Sequence, residues 1–264
     1  MTVAVQESLF EASLAGRAGA LYGGHFARAE DRAAAVSYAS RPLAPEVAEA
    51  LRAQNARYVA SEARERHLDA LCSGAAAVVT GQQVGLFLGP LFTIYKAATA
   101  VLAARKLAAE TGRPVVPVFW LQTEDHDLPE ICGTQLPRTS ATEPGACTLA
   151  VPVAIDNRVA IAACVLPAEV SACLDALEAE LGRMPHAPEH LSRLRAHYVP
   201  GRGWSAAFAG VLAELFADEG LVLIDPRDAA LAHVAAKIHA QAFSRHAPIE
   251  AALSARAKEL EARG

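Results

Sequence analysis

Three short apolar runs stand out from a chain whose remaining hydrophobic positions recur mostly at helical spacing. They are AAAVV (75–79), PVVPVFWL (114–121) and LVLI (221–224), each bounded by turn-forming residues. Runs of this length, rich in β-branched residues, read as strands buried on both faces. Between the first two, Pro90 to Thr111 follows a helical pattern and stops at Gly112-Arg113-Pro114. Proline suits a first helical turn, where its missing N–H costs nothing. Two strands joined by one helix form a βαβ unit, so the strands are expected to be parallel with a right-handed crossover.

The flanking pattern predicts further elements. Residues 1–44 read as short helical pieces with a turn at Gly23-Gly24-His25-Phe26 and a break at Arg41–Pro45. Glu46 to Leu71 reads as one long charged helix, with Val47, Leu51, Tyr58 and Leu68 as a thin apolar stripe and i,i+4 pairs on the solvated face. From Ile131 to Leu166 short runs (147–153 and 159–165) alternate weakly, which predicts a small antiparallel insertion. Helices are expected over 167–182 and 191–198, with a loop at 184–188 and a break at 200–203. An amphipathic helix over 204–219 feeds the third strand, and Asp225 ends it. Residues 228–246 and 248–263 read as helices, the second strongly charged. The chain stops within the last of them, as expected of a fragment. The expected division is a helical segment over 1–74, the βαβ core over 75–130, an insertion over 131–200, a return to the core over 201–247, and the start of a helical region over 248–264.

Composition narrows the class. With 264 residues, 53% of them hydrophobic, the chain can bury a large core, and a net charge of −5 leaves no basic footprint for nucleic acid. No apolar run approaches a membrane span, and Lys96 and Arg105 interrupt the most hydrophobic helix. Residues 1–20 lack the pattern of a secretory signal. The five cysteines include no Cys-x-x-Cys pair, and an odd number suits a reducing compartment. A cytoplasmic protein is expected.

Candidate chemistry gathers at two places. Thr80-Gly81-Gln82-Gln83 interrupts the first run, and glycines recur at 81, 85 and 89, ahead of Pro90. Strand, glycine-rich loop and helix start can present free N–H groups to an anion; equally, the glycines can serve a tight turn that packs the helix on the sheet. The loop lacks the Gly-Lys-Ser/Thr of a phosphate-binding loop and the Gly-x-Gly-x-x-Gly of a dinucleotide site. The second place is Glu124-Asp125-His126-Asp127, directly after the second strand. Three acids and an imidazole can position an ammonium group, remove its proton or hold a divalent cation, or they can be a surface turn with Asp127 as a cap. In parallel sheets ligands bind beyond the carboxyl ends of the strands, which puts the loop and the turn side by side. Lys96 either reaches a phosphate over the loop or is solvated, and Gln82 and Gln83 either bind a polar ligand or brace the loop. His186 and His190 have i,i+4 spacing, but Pro185 and Pro188 argue against a metal-binding helix. Trp204 reads as core rather than as a stacking platform, and Asp225 either faces the site or opens an Asp-Pro turn.

The motifs TGQQVGLFLGPLFTIYKA (80–97) and RPVVPVFWLQTEDHDLPEI (113–131) resemble the BshC family, the cysteine-adding enzyme of bacillithiol biosynthesis. The segments 204–216 and GLVLIDP (220–226) are similar to it too. The match spans nearly all of this chain but only about the N-terminal half of a typical member. The resemblance implies an α/β, Rossmann-like parallel core with an insertion, and C-terminal helices leading toward a dimerising coiled coil that is largely absent here. It implies a ligase joining L-cysteine to glucosaminyl malate. Because a carboxylate at neutral pH does not acylate an amine, activation is required, by ATP if the analogy with nucleotidyltransferases holds. Carried onto this sequence, Thr80, Gly81, Gln82, Gln83, Gly85, Gly89, Pro90, Lys96 and Asp125 would bind nucleotide or substrate. Glu124, His126 and Asp127 would orient and deprotonate the sugar amine, with no metal among the implied ligands. The alternatives are a non-catalytic binding subunit of that enzyme and a nucleotidyltransferase of other substrate range.

Overall fold

The structure, a computed structural model, describes residues 8–18, 21, 23–137, 145–153 and 159–262. At its centre are three parallel strands, β1 (Ala76–Gln83), β2 (Val115–Gln122) and β5 (Val222–Ile224), in the order β1-β2-β5. β1 pairs with β2 from Ala76↔Val115 to Gln83↔Gln122, and β2 pairs with β5 from Val118↔Val222 to Trp120↔Ile224. The fold is therefore α/β, with the parallel sheet read from the three apolar runs.

α5 (Phe92–Thr111) makes the crossover between β1 and β2 and buries Thr93, Ala97, Ala100, Val101, Ala104 and Leu107 along one side. Four of these six positions carry no side chain beyond a methyl or a hydroxyl-bearing branch, so the helix axis can lie close to the sheet. Gly112 ends it in the left-handed conformation, with φ 66°, and donates its N–H to the Ala108 carbonyl. On the same side of the chain's core lies α9 (Trp204–Leu215), nine of whose residues are buried. A helix apolar nearly all round belongs inside a protein.

The opposite face of the sheet is covered by α3 (Pro45–Asn55) and α4 (Glu62–Cys72), whose Leu51, Leu68 and Leu71 pack on Val116, Val118 and Val222. The single long helix expected over 46–71 is thus two. Its interruption is built by Ser61, which caps α4 by accepting the Arg64 N–H, and by the need to reverse direction so that both helices reach the sheet. N-terminal to them are α1 (Leu9–Leu14) and α2 (Ala29–Ala39), and Val36 of α2 packs against Ala76, Ala104, Leu107 and Val115.

β5 is short and its outer edge is closed by side chains. Asn55 accepts the Leu223 N–H at 3.0 Å and donates to the Leu223 carbonyl at 2.9 Å; Gln54 does the same at Asp225, at 2.9 and 3.1 Å. Two adjacent carboxamides therefore take the place of a neighbouring strand. Arg64, 2% exposed, donates to three carbonyls, those of Leu221, Val59 and Ala213. The Ala213 carbonyl belongs to the last turn of α9, where carbonyls lack helical partners and a cation is favoured.

The insertion contains the antiparallel pair β3 (Gly133–Pro137) and β4 (Ala146–Ala150), then α7 (Val170–Leu181) and α8 (Ala187–His197). A four-residue helix, α6 (Leu128–Ile131), precedes β3. The expected run at 159–165 is not a strand: Ile161–Ala163 forms a 3-10 turn, and Val165 makes a single bridge to Gly203. Part of the 147–153 run is β4, while 154–158 lies outside the described residues. α10 (Ala229–Ser244) and α11 (His246–Glu261) follow β5 and contain no buried residue. Among the described residues no helix is long and apolar enough to cross a membrane.

Replacing Asn55 by alanine leaves a buried N–H and a buried carbonyl of Leu223 without partners, and is expected to cost about 2–4 kcal/mol. Urea unfolding followed by circular dichroism measures it, and a loss below the scatter of surface substitutions would show that the amide does not close the edge.

Candidate functional site

The strands end at Gln83, Gln122 and Ile224, and the three segments that follow lie along one edge of the sheet. Gln83 joins two of them. Its Nε2 donates to Asp125 Oδ2 at 2.7 Å and to Glu130 Oε2 at 2.9 Å. Thr123 Oγ1 donates to Asp225 Oδ1, which also accepts the Arg227 N–H and so opens the Asp-Pro turn. The glycine loop and the acidic turn are neighbours, as the βαβ reading requires.

Thr80, Gly81, Gln82 and Gln83 do not break the strand. They continue β1 in register with Phe119 to Gln122, because β2 runs alongside to the same length. The turn begins at Val84. Gly85 and Gly89 have φ of −63° and −66°, and the left-handed positions fall instead on Phe87 and Leu88, with φ 53° and 64°. What the glycines supply is closeness. A Cβ on Gly85 would sit 2.0 Å from the Gly89 carbonyl oxygen, and one on Gly89 would sit 2.7 Å from Thr134 Oγ1. The Gly89–Pro90 peptide is cis, and α5 begins two residues later.

The loop is not an open cradle. The Gly85 and Gly89 N–H groups donate within the loop, to Gln83 and Leu86. Tyr198, 1% exposed, packs its ring on Phe87 at 4.9 Å and directs its hydroxyl at the Gly85 carbonyl, 3.5 Å away. Burial pushes that hydroxyl's pKa up, and the N–H groups of Leu88 and Phe87, which face its oxygen, offset the rise in part. Trp204 Nε1 donates to the Val84 carbonyl at 2.7 Å. Tyr198 and Trp204 thus brace the inner side of the bend, and Gly85 and Gly89 let its two ends touch as packing residues of a tight turn, while a cavity of about 400 Å³ borders it at Phe87, Leu88, Gly89 and Leu91. Sequence inspection offered no sign of this, because Tyr198 lies at the far end of α8.

The acidic turn divides between two directions. Asp125 Oδ1 accepts the N–H groups of His126 and Asp127, at 2.7 and 3.2 Å, while Oδ2 takes Gln83. The Gln83 hydrogen bond, then the two backbone N–H groups and the nearby His126, hold the Asp125 carboxyl below its ordinary 3.8, against burial, which raises it. It is a fixed anion rather than a base. His126 is exposed, with Nδ1 3.7 Å from Asp125 Oδ1. Asp127 caps α6 by accepting the Glu130 N–H at 3.3 Å, so the capping alternative describes its geometry. Glu130 completes the group and was missed. Its position three residues after a capping aspartate is the signal that could have found it. Glu124 turns the other way, into a cavity of about 260 Å³ with Trp120, Pro226, Arg227, Ala232, Ala235 and His239.

Lys96 lies beside the end of β1, where its Nζ donates to the Gly81 carbonyl at 3.2 Å and to Gln82 Oε1 at 2.6 Å. His190 contacts Arg193 through Nδ1 at 2.9 Å, and among the described residues no group of three His, Cys, Asp or Glu side chains is placed to hold a metal ion. All five cysteines are free thiols, and burial raises the pKa of Cys164 and Cys173.

A parallel α/β sheet with a polar carboxyl-terminal edge defines a Rossmann-like domain. Residues 15–264 match the family described as Bacillithiol biosynthesis BshC, N-terminal Rossmann-like domain, and the chain belongs to that family. Relatives bearing the name "Putative cysteine ligase BshC" include one from Salinibacter ruber, 40% identical over 202 residues, which are 76% of this chain and 36% of that protein. Another, from Koribacter versatilis, is 38% identical over 223 residues, 83% of this chain and 40% of the relative. One from Geobacillus kaustophilus is 32% identical over 221 residues, with the same two shares. The chain thus spans about two fifths of the length of the curated relatives it matches.

Two outcomes are expected. Gly85→Ala forces its methyl group against backbone and should cost about 2–4 kcal/mol of stability, read by thermal or urea unfolding. Because the Asp125 pKa is lowered by folding, its stabilisation is present above 3.8 and disappears as pH falls through the folded value. A carboxyl-carbon NMR titration should find Asp125 below 3.8 in the natural protein and higher in Gln83→Leu; an unchanged value in the variant would remove Gln83 as the main cause.

Proposed function

We propose that this chain supplies the α/β core of an enzyme that joins L-cysteine to glucosaminyl malate in the making of bacillithiol. The observation that carries the reading is the convergence of Asp125 and Glu130 on the single NH₂ group of Gln83, with His126 beside them at the carboxyl edge of the sheet. The relatives' printed name supplies the reaction class: a bond formed to cysteine.

Amide formation needs an amine without its extra proton and a carboxyl carbon with a leaving group. The ammonium form of an amino sugar presents the same N–H donors that Gln83 presents to the two carboxylates, so Asp125 and Glu130 can hold it by charge-assisted hydrogen bonds. Asp125, kept ionised, fixes the position. His126, exposed beside Asp125, takes the proton that must leave before attack. Gln82 and Lys96 stand at the end of β1, and the third ammonium proton of Lys96 is available to an anionic group of substrate.

The expected nucleotide cradle at Thr80–Pro90 does not fit its role, since the Phe87 and Leu88 N–H groups face Tyr198. No step is therefore derived through ATP. That same filled loop favours a second reading, a binding subunit that positions substrates without activating the carboxyl group. In both readings the protein works in the cytoplasm, and α11 continues toward a dimerising coiled coil.

The test is complementation of a bacterial strain lacking the cysteine-adding step, with this chain expressed alone and together with the part of the Salinibacter ruber relative that it does not span. Bacillithiol is measured by mass spectrometry. Restoration by the chain alone or by the pair is expected, with Asp125→Asn and Glu130→Gln reducing the thiol by about tenfold or more, the scale of a lost charge-assisted hydrogen bond. Full thiol levels in both variants would remove the amine-binding role. Restoration by neither form would leave the binding-subunit reading in place of the ligase.

A further inference from the structure

The cavity on the Glu124 side of the turn is distinct from the Asp125–Glu130 group and has an unusual distribution of charge. Its walls are Trp120, Pro226, Ala232 and Ala235, and its ionisable side chains are Glu124, Arg227 and His239. Trp120 sits on β2 opposite Gly81, leaves 37% of its surface exposed, and offers an indole face at the sheet edge. The two alanines lie three residues apart on α10, where a larger pair would fill the space.

Opposite charges that share so small a space normally meet. Elsewhere in this protein they do: Arg57 with Asp228, Arg105 with Glu219, and Arg193 with both Glu189 and Glu214. Among the described residues, Glu124, Arg227 and His239 have no side-chain hydrogen bond or ion pair with one another or with any other residue. Arg227 is held only through its backbone N–H, by Asp225. One carboxylate and one guanidinium therefore face a common cavity of about 260 Å³ without touching. The missing complement is a molecule that carries both charges itself, an ammonium for Glu124 and a carboxylate for Arg227, on a body small enough for the alanines and apolar enough for the indole.

We infer that this cavity is a site for a free α-amino acid. Arg227 binds the carboxylate by a planar two-point contact, with His239 as a further donor when protonated, and Glu124 binds the ammonium group. The inference rests on the ligase reading only for which amino acid is meant. It places the two reactants on either side of one turn: consecutive residues, Glu124 and Asp125, would each hold an ammonium group, one of the amino acid and one of the amine that attacks it.

Calorimetric titration of the intact chain with L-cysteine, cysteamine and N-acetyl-L-cysteine tests it, since the second lacks the carboxylate and the third the ammonium. L-Cysteine should bind saturably, and each analogue about tenfold or more weakly. Glu124→Gln should weaken L-cysteine but not N-acetyl-L-cysteine further, and Arg227→Gln should weaken L-cysteine but not cysteamine further. Both side chains are exposed, so the variants should keep the thermal stability of the parent. Equal binding of all three compounds, no saturable heat with L-cysteine, or variants that leave its affinity unchanged would each overturn the site. L-Cysteine binding with these dependences in a chain that fails to restore bacillithiol would uphold the site while removing the ligase reading.

Discussion

Every buried backbone N–H and carbonyl must find a partner, and in this protein helical side chains meet that demand wherever the sheet runs out. Asn55 and Gln54 serve the edge of β5, Arg64 collects three carbonyls including one at the end of α9, and Trp204 takes the carbonyl of Val84. Three strands cannot otherwise be enclosed, because a parallel sheet must be covered on both faces and each edge leaves a row of polar groups. These contacts fix the positions of Asp225 and Val84, hence of the two segments that flank the acidic turn.

The same demand explains why the glycine-rich loop is structural. Phe87 and Leu88 adopt left-handed conformations that cost a side-chain-bearing residue stability, and they persist because the surroundings over-determine them. Tyr198 is inside the bend and Gly85 and Gly89 let its two ends touch. A rigid bend holds the residues at its two ends in place. It delivers Gln83 to Asp125 and Glu130 on one side and Lys96 to Gln82 on the other.

The chemistry proposed for this chain accordingly centres on the turn after β2. Glu124 and Asp125 lie in the bend beyond the end of β2 and turn into separate surroundings. On the proposed reading the acidic run makes two half-sites on one backbone: Asp125 meets Gln83, and Glu124 faces the cavity that Arg227 also lines. An arrangement of this kind suits a reaction between two molecules that both bear amines.

The sequence by itself determined the three central strands, the crossover helix and their order. Apolar run length and Gly-Pro punctuation are local properties, and they sufficed for a parallel βαβ unit with its polar ends together. It also marked Gly85 and Gly89 as positions of constraint, and the Asp127–Glu130 spacing carried a cap that identifies a fourth acid. Tertiary structure alone decided what each polar residue faces. Asn55 meets Leu223 across 168 residues of chain and Tyr198 meets Gly85 across 113, and no periodicity reports such pairings. Whether a glycine-rich bend receives an anion or an aromatic ring depends on which distant side chain packs there first, because the N–H groups accept either oxygen and only the packed core chooses between them.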